Sequence, residues 1–212
     1  MKNKGFTLAE ILVTLGIIGV ISALTLPTFT QGSNMAKVGP LLGKAKANFE
    51  QATLAMLQDE QIDNLSSSTR YGNANQYDVF LTNLSNHMKG YVMPRQGSLS
   101  NTFVSADGVK YQIASISRDL SSSNPYNNMF YSEVNIDING TQGPNRDSKD
   151  IFYFELRDDG SLVPWGSQAI PEARRANKGG LWTANCPQNT VPTDAKACAG
   201  HIFDNGLKAE YK

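Results

Sequence analysis

From residue 6 to residue 26 the chain reads FTLAEILVTLGIIGVISALTL, apolar nearly all round and carrying one ionisable side chain, Glu10. At about 1.5 Å per residue, a helix of these 21 residues reaches across the roughly 30 Å hydrocarbon core of a bilayer. Beyond it the apolar positions narrow to a stripe. Val38, Leu41, Leu42, Ala45, Phe49, Ala52, Met56 and Leu57 follow one another mostly at steps of three and four, while Lys44, Lys46, Asn48 and Gln51 fall mostly on other faces. The pattern predicts a single long helix from about Phe6 to Asp59. Its first half needs lipid or other helices around it, and its second half needs a globular domain to lie on. Gly16, Gly19, Pro27, Gly32 and the pair Gly39–Pro40 predict interruptions, because proline removes a backbone donor and glycine weakens a helix by about 1 kcal/mol relative to alanine. Gly16 and Gly19 fit two readings, close packing between membrane helices or a segment that unwinds locally.

Helical periodicity stops in the polar run 64–76, NLSSSTRYGNANQ, and returns over Tyr77–Met88, with Tyr77, Phe80, Leu81, Leu84 and Met88 on one side. After Pro94 the period becomes two. Thr102–Ser105 and Val109–Ser115 flank Asp107–Gly108, a strong hairpin signal. Residues 117–129, rich in Ser and Asn, read as loop. Tyr131–Ile138 and Ile151–Leu156 read as strands, and Asp159–Gly160 turns the chain into Ser161–Val163. A short helix is predicted near Asp194–Phe203, before a final extended stretch. The fold class is therefore α+β: a long N-terminal helix whose second half carries a small antiparallel sheet.

Composition narrows the function classes. The 212 residues suffice for one sizeable domain plus an extension, and 19 basic against 19 acidic residues leave no overall field for nucleic acid. Lys2 and Lys4 precede the apolar run, which places the N-terminus in the cytoplasm and the rest outside. A conventional secretory signal would be shorter and cut after small residues, for which only Ala23 is near. Both cysteines, Cys186 and Cys198, fall in the last 27 residues. In an oxidising compartment an even count reads as a disulfide, whereas a metal pair would need further ligands that His201 alone does not complete.

The residues KGFTLAE at 4–10, abutting the apolar run, resemble the processing signal of type IV prepilins and pseudopilins. That resemblance implies a cut between Gly5 and Phe6 by a prepilin peptidase, methylation of the Phe6 amine, and assembly into a helical filament. It divides the chain into a leader (1–5), a transmembrane or filament-core helix (6–27), an amphipathic half-helix (28–60) and a globular pilin-like head (61–212). Looser likenesses to pilin-like proteins of diderm bacteria extend over AKVGPLLGKAKANFEQA and DINGTQGPNRDSKDIFYFEL, and Cys186/Cys198 resemble the pair that closes a pilin's terminal loop. The implied partners are the peptidase, other pilin or pseudopilin subunits, an inner-membrane assembly platform and, before assembly, the lipid bilayer. The implied location is a single pass of the inner membrane with the head in the periplasm, then the filament. Glu10 gains a counter-charge on processing, since a cut before Phe6 creates an ammonium four residues away. The cut also removes Lys2 and Lys4, leaving 17 basic and 19 acidic residues.

The remaining chemistry is sparse. Asp137, Asn139, Thr141, Asn145, Asp147 and Asp150 set oxygens at nearly alternate positions, as calcium loops do, and some pseudopilins bind calcium in a late loop. Against that stand Gln142 where such loops turn on glycine and Ser148 where they close on glutamate, so a plain Asx-capped turn is the other reading. Calcium through Asp137, Asn139, Asp147 and Asp150 is the one candidate cofactor site, and none is required. His87 and His201 read as surface and packing residues, Trp165 and Trp182 as core or interface anchors. No nucleophile elbow or phosphate loop is present, so the expectation is a structural subunit and not an enzyme. Two rivals use the same anchor: a tip-located adhesin or DNA-uptake module, and a monomeric anchored domain that keeps its leader.

Overall fold

The computed structural model describes residues 8–67, 77–92, 101–113, 130–143, 145–170, 172, 186 and 196–209. Helix α1, Leu8–Glu60, runs 53 residues without a break, about 80 Å at the usual rise. The interruptions expected at Gly16, Gly19, Pro27, Gly32 and Gly39–Pro40 do not occur. A proline costs a helix only one backbone bond and some bending. Pro40 and Ala36, whose carbonyl it leaves without a helical donor, both lie on the exposed side, where water serves.

The second half of α1 buries Leu42, Ala45, Phe49, Ala52 and Met56, at alternating steps of three and four, with Thr53 and Leu57 beside them. Leu41 does not join this stripe; it is 44% exposed, one residue round the helix from Leu42. Opposite the stripe lies a six-stranded sheet in which every strand pairs antiparallel with its neighbour in sequence: β1 Tyr91–Val92, β2 Thr102–Val104, β3 Lys110–Ile113, β4 Phe130–Asp137, β5 Ile151–Arg157 and β6 Leu162–Pro164. Strand β1 was not expected, because two residues after Gly90 are too few to display a period of two. The Asp107–Gly108 turn joins β2 to β3, with Gly108 at φ +85° and Ser105 N–H donating to the Val109 carbonyl at 2.9 Å. Of the loop expected at 64–76, Leu65–Ser67 form one turn of 3-10 helix, and 68–76 lie outside the described residues, as does the loop expected at 117–129.

Phe103, Tyr111, Val134, Ile136, Phe152, Phe154 and Leu156 of the sheet meet α1, and α2 (Tyr77–His87) adds Phe80, Leu81 and Leu84. Tyr111 is the hinge of this core. Its ring stacks on Phe103 with centroids 4.9 Å apart, tilts against Phe49 at 5.7 Å, and its hydroxyl donates to the Ala45 carbonyl of α1 at 3.1 Å. Burial raises the Tyr111 hydroxyl well above its ordinary pKa, so it stays a donor.

Polar bonds tie α1 to the far edge of the sheet. Glu50 Oε1 accepts the Leu162 N–H at 2.8 Å and the Lys46 ammonium at 2.6 Å, covering an edge amide of β6. Thr53 Oγ1 donates to the Gly160 carbonyl at 2.8 Å across a turn where Gly160 sits at φ +83°. Just past α1, Asp158 takes the Ser66 N–H at 2.7 Å and the Ser66 hydroxyl at 2.6 Å.

The last described element is α3, Cys198–Asp204, held at its start by a disulfide to Cys186 with Cα atoms 5.1 Å apart. Its Gly200 lies against the backbone of Trp165–Ser167 and donates to the Trp165 carbonyl at 2.8 Å. Past α3, Leu207 turns at φ +65° and lies across Gly39 and Gly43 of α1. A Cβ on Gly39 would overlap the Leu207 backbone carbonyl, whereas one on Gly43 would come 2.9 Å from the movable Leu207 Cδ1. These glycines are therefore a seat for the chain's end, and not a break in the helix. Gly39→Ala should lower the melting temperature of the detergent-solubilised chain by about 5 °C, at the overpacking cost of about 1–3 kcal/mol. Gly43→Ala should cost clearly less, and thermal unfolding followed by circular dichroism reads both.

Candidate functional site

The N-terminal feature is one of exposure. Leu8, Leu12, Val13, Leu15, Ile17, Ile18 and Val20 are each more than half exposed, and they point to every side of α1. A continuous apolar surface of this kind is a contact surface, since water solvates it poorly. Thr14, the polar residue among them, turns its hydroxyl back onto the Glu10 and Ile11 carbonyls, both at 3.0 Å, and so offers no free donor outward. Glu10 stands exposed in the first turn of α1, where the helix dipole favours a carboxylate. Gly16 and Gly19 have no atom of the same chain within 4 Å of a would-be Cβ. Nothing among the described residues requires them to be glycine, and α1 does not unwind there. Gly5 and Phe6 lie outside the described residues. Among the described residues no helix is long and apolar enough to cross a membrane; of the predicted 6–26 span, side chains are described for residues 8–20.

The 137–150 segment turns on itself between β4 and β5. Ile138 N–H donates to the Asp150 carbonyl at 2.9 Å, Gly140 N–H to the Asp137 carbonyl at 3.3 Å, and Asp150 and Ile151 N–H groups both reach the Arg146 carbonyl. Gly140, at φ +67°, is pressed against the Gly108 carbonyl so closely that a Cβ would overlap it. Each of the three candidate calcium-ligating carboxylates has a partner within the protein. Asp147 Oδ1 accepts the Tyr153 hydroxyl at 2.7 Å, and Asp150 Oδ2 accepts the Arg146 N–H at 3.3 Å. Asp137, buried at the end of β4, faces the Lys110 ammonium at 2.6 Å from its Oδ2. Both Asp137 oxygens and Asn139 Oδ1 are buried without a well-aligned hydrogen bond, the Lys110 contact being an ion pair by distance. Burial raises the Asp150 pKa against the Arg146 N–H that lowers it, and the Asp137 charge raises it further. Among the described residues no three His, Cys, Asp or Glu side chains are grouped to hold a metal ion.

The other polar groups serve packing. His87 bridges the Asn83 carbonyl at 2.8 Å and the Asp59 carboxylate at 3.0 Å, joining the ends of α2 and α1. His201 is buried in α3 with Asn205 Nδ2 2.9 Å from its Nδ1. Trp165 packs with Val163, Ile170 and Tyr153 in a second, smaller cluster, whereas Trp182 lies outside the described residues. Asp107, drawn down by the Ser105 hydroxyl and the Lys44 ammonium against the opposing effect of burial, pins the β2–β3 turn to α1 through a 3.0 Å ion pair with Lys44.

Residues 1–26 match the family model of the prokaryotic N-terminal methylation motif. This is the prepilin signal of type IV pilins and pseudopilins. A motif of this kind implies processing by prepilin peptidase and assembly with other pilin subunits, and the match covers the first 26 residues alone. Neither curated proteins nor solved structures yield a match to the chain. What sequence reasoning missed is the pairing of Lys110 with Asp137. Its trace was the cross-strand register of β3 and β4, which places the two residues directly opposite one another.

The disulfide closes a loop of sequence separation 12 between the buried Cys186 and Cys198. Cys198→Ser should cost about 3 kcal/mol by the chain-entropy estimate, read by denaturant titration. Mass spectrometry of native protein after alkylation should find neither cysteine modified.

Proposed function

We propose that this chain is a structural subunit of a type IV pilus or a type II secretion pseudopilus. Residues 1–5 are its leader, cut after Gly5 by the prepilin peptidase, and Phe6 becomes the methylated N-terminus. Residues 6–27 anchor the precursor in the inner membrane and then pass into the filament core through the assembly platform. Residues 28–60 are the spine of the periplasmic head, residues 61–212 the head itself. The subunit needs no cofactor and catalyses no reaction; it is the substrate of the enzyme that trims it.

The observation that carries this reading is the joining of two environments in one unbroken helix. Over Leu8–Val20 the helix exposes apolar side chains on all sides, and from Leu42 onward it buries one stripe beneath a sheet. Such a rod projects a bare apolar shaft from a finished head, and the prepilin signal stands at the end of that shaft. A lipid bilayer covers the shaft first, and the shafts of neighbouring subunits cover it after assembly. Gly16 and Gly19, open within the subunit, then admit close approach of a neighbouring helix.

Glu10 has a defined part in this scheme. Inside a bundle of apolar helices an unpaired carboxylate is costly, and the Phe6 ammonium of a neighbour is its best partner. A stagger that brings Phe6 of one subunit to Glu10 of the next fixes the axial register. Glu10→Ala should insert and be cut normally but be absent from sheared filaments when expressed alone, as immunoblots would read. Gly5→Val should instead leave the whole precursor in the inner membrane, at the unprocessed mass. Filaments of ordinary density and pitch built from Glu10→Ala subunits would refute the inter-subunit pairing.

A further inference from the structure

The calcium reading of the 137–150 segment and its geometry disagree, and the disagreement has a physical cause in β3. Lys110 and Asp137 stand directly opposite each other across β3 and β4. The Lys110 ammonium lies 2.6 Å from Asp137 Oδ2, with the lysine side chain 15% and the aspartate side chain 3% exposed. We propose that Lys110 is the built-in cation of this segment, supplying from β3 the positive charge that a bound divalent ion would otherwise have to supply.

Three observations support the assignment. The first is position: Asp137 is the first residue of the candidate calcium spacing and the most buried of its carboxylates. A buried carboxylate there is costly unless it is neutralised, and the ammonium of Lys110 faces it. The second is the fate of the other candidates. Asp147 gives one oxygen to the Tyr153 hydroxyl and Asp150 one to the Arg146 N–H, so each already spends part of its carboxylate inside the protein, and Lys110 alone is seen to face Asp137 with a positive charge. The third is the close fit around the pair. Gly140 is wedged against the Gly108 carbonyl, which holds the turn after β4 against the turn before β3, so the lysine stem and the carboxylate are fixed from both ends. Three oxygens, both of Asp137 and Asn139 Oδ1, are buried there without a well-aligned hydrogen bond, so the contact of Asp137 Oδ2 with Lys110 is an ion pair by distance. Buried oxygens with no donor make the pocket receptive to a metal ion once the lysine charge is removed.

The experiment uses the full chain in detergent, with calcium chloride and a chelator as probes and the melting temperature as readout. Wild type should melt at the same temperature in millimolar calcium and in chelator. Lys110→Met keeps the aliphatic stem, strands the Asp137 charge, and should melt about 10 °C lower, the scale expected for breaking a buried pair. That variant should regain part of the loss in millimolar calcium. The double variant Lys110→Met with Asp137→Asn removes both charges and should melt close to wild type, with no response to calcium. If Lys110→Met fails to fold, the double variant carries the test, because the pair accounts for the defect only if it folds. A calcium-induced rise in wild type would overturn the proposal. So would a Lys110→Met protein as stable as wild type, one no more responsive to calcium, or a double variant that stays as unstable as the single.

Discussion

Everything in the head depends on one geometric constraint: only one side of α1 can face the sheet. A helix with 3.6 residues per turn offers a narrow strip, and here that strip is Leu42, Ala45, Phe49, Ala52 and Met56. The alternation of large and small residues along it shapes the contact. Ala45 and Ala52 let the sheet approach, while Phe49 fills the space between them. The Tyr111 hydroxyl then reaches the Ala45 carbonyl, a bond that a bulkier residue at 45 would hinder. Glu50 and Thr53 flank the strip and bond to the β5–β6 end, so the helix is registered along its axis as well as around it. Burial gives this contact its strength, and the few polar bonds give it its position.

The same helix meets an opposite demand twenty residues earlier. There, no face is favoured, and the side chains stand exposed in all directions. One continuous backbone joins a surface made for the subunit's own core to a surface made for something outside it. The rod transmits the position of the head to the shaft because it does not break at Pro27 or at Gly39–Pro40. Rigidity is thus a property of the junction, and the clasp of Leu207 across Gly39 and Gly43 adds to it where the rod enters the head.

Much of this was legible in the sequence, and the failures have common causes. The long helix, the hairpin at Asp107–Gly108, the strands around 131–138 and 151–156 and the turn at Asp159–Gly160 follow from periodicity and turn chemistry, which are local. The uninterrupted passage through Pro40 was not legible, because whether a proline breaks a helix depends on what its freed carbonyl faces. Nor was the role of Gly39 and Gly43, which exists only through Leu207 at the other end of the chain. Leu41 misled because leucine is apolar wherever it stands, and the stripe beside it was already full. The candidate calcium spacing counts oxygens along one segment, and it could not show that the ammonium facing its first residue, Lys110, lies on another strand. The prepilin signal needed no tertiary knowledge, since a peptidase reads it as a linear segment.

The seat of Leu207 on Gly39 and Gly43 has a consequence in time. The stem of the head is laid down first during synthesis, yet the piece that closes over its upper end is among the last to arrive. Closing so long a loop is slow relative to forming the hairpins between. A folding chain therefore passes through an interval in which sheet and helix have met but Gly39 and Gly43 still lie bare. Through that interval the seat is a surface open to other chains, and the docking of Leu207 closes it.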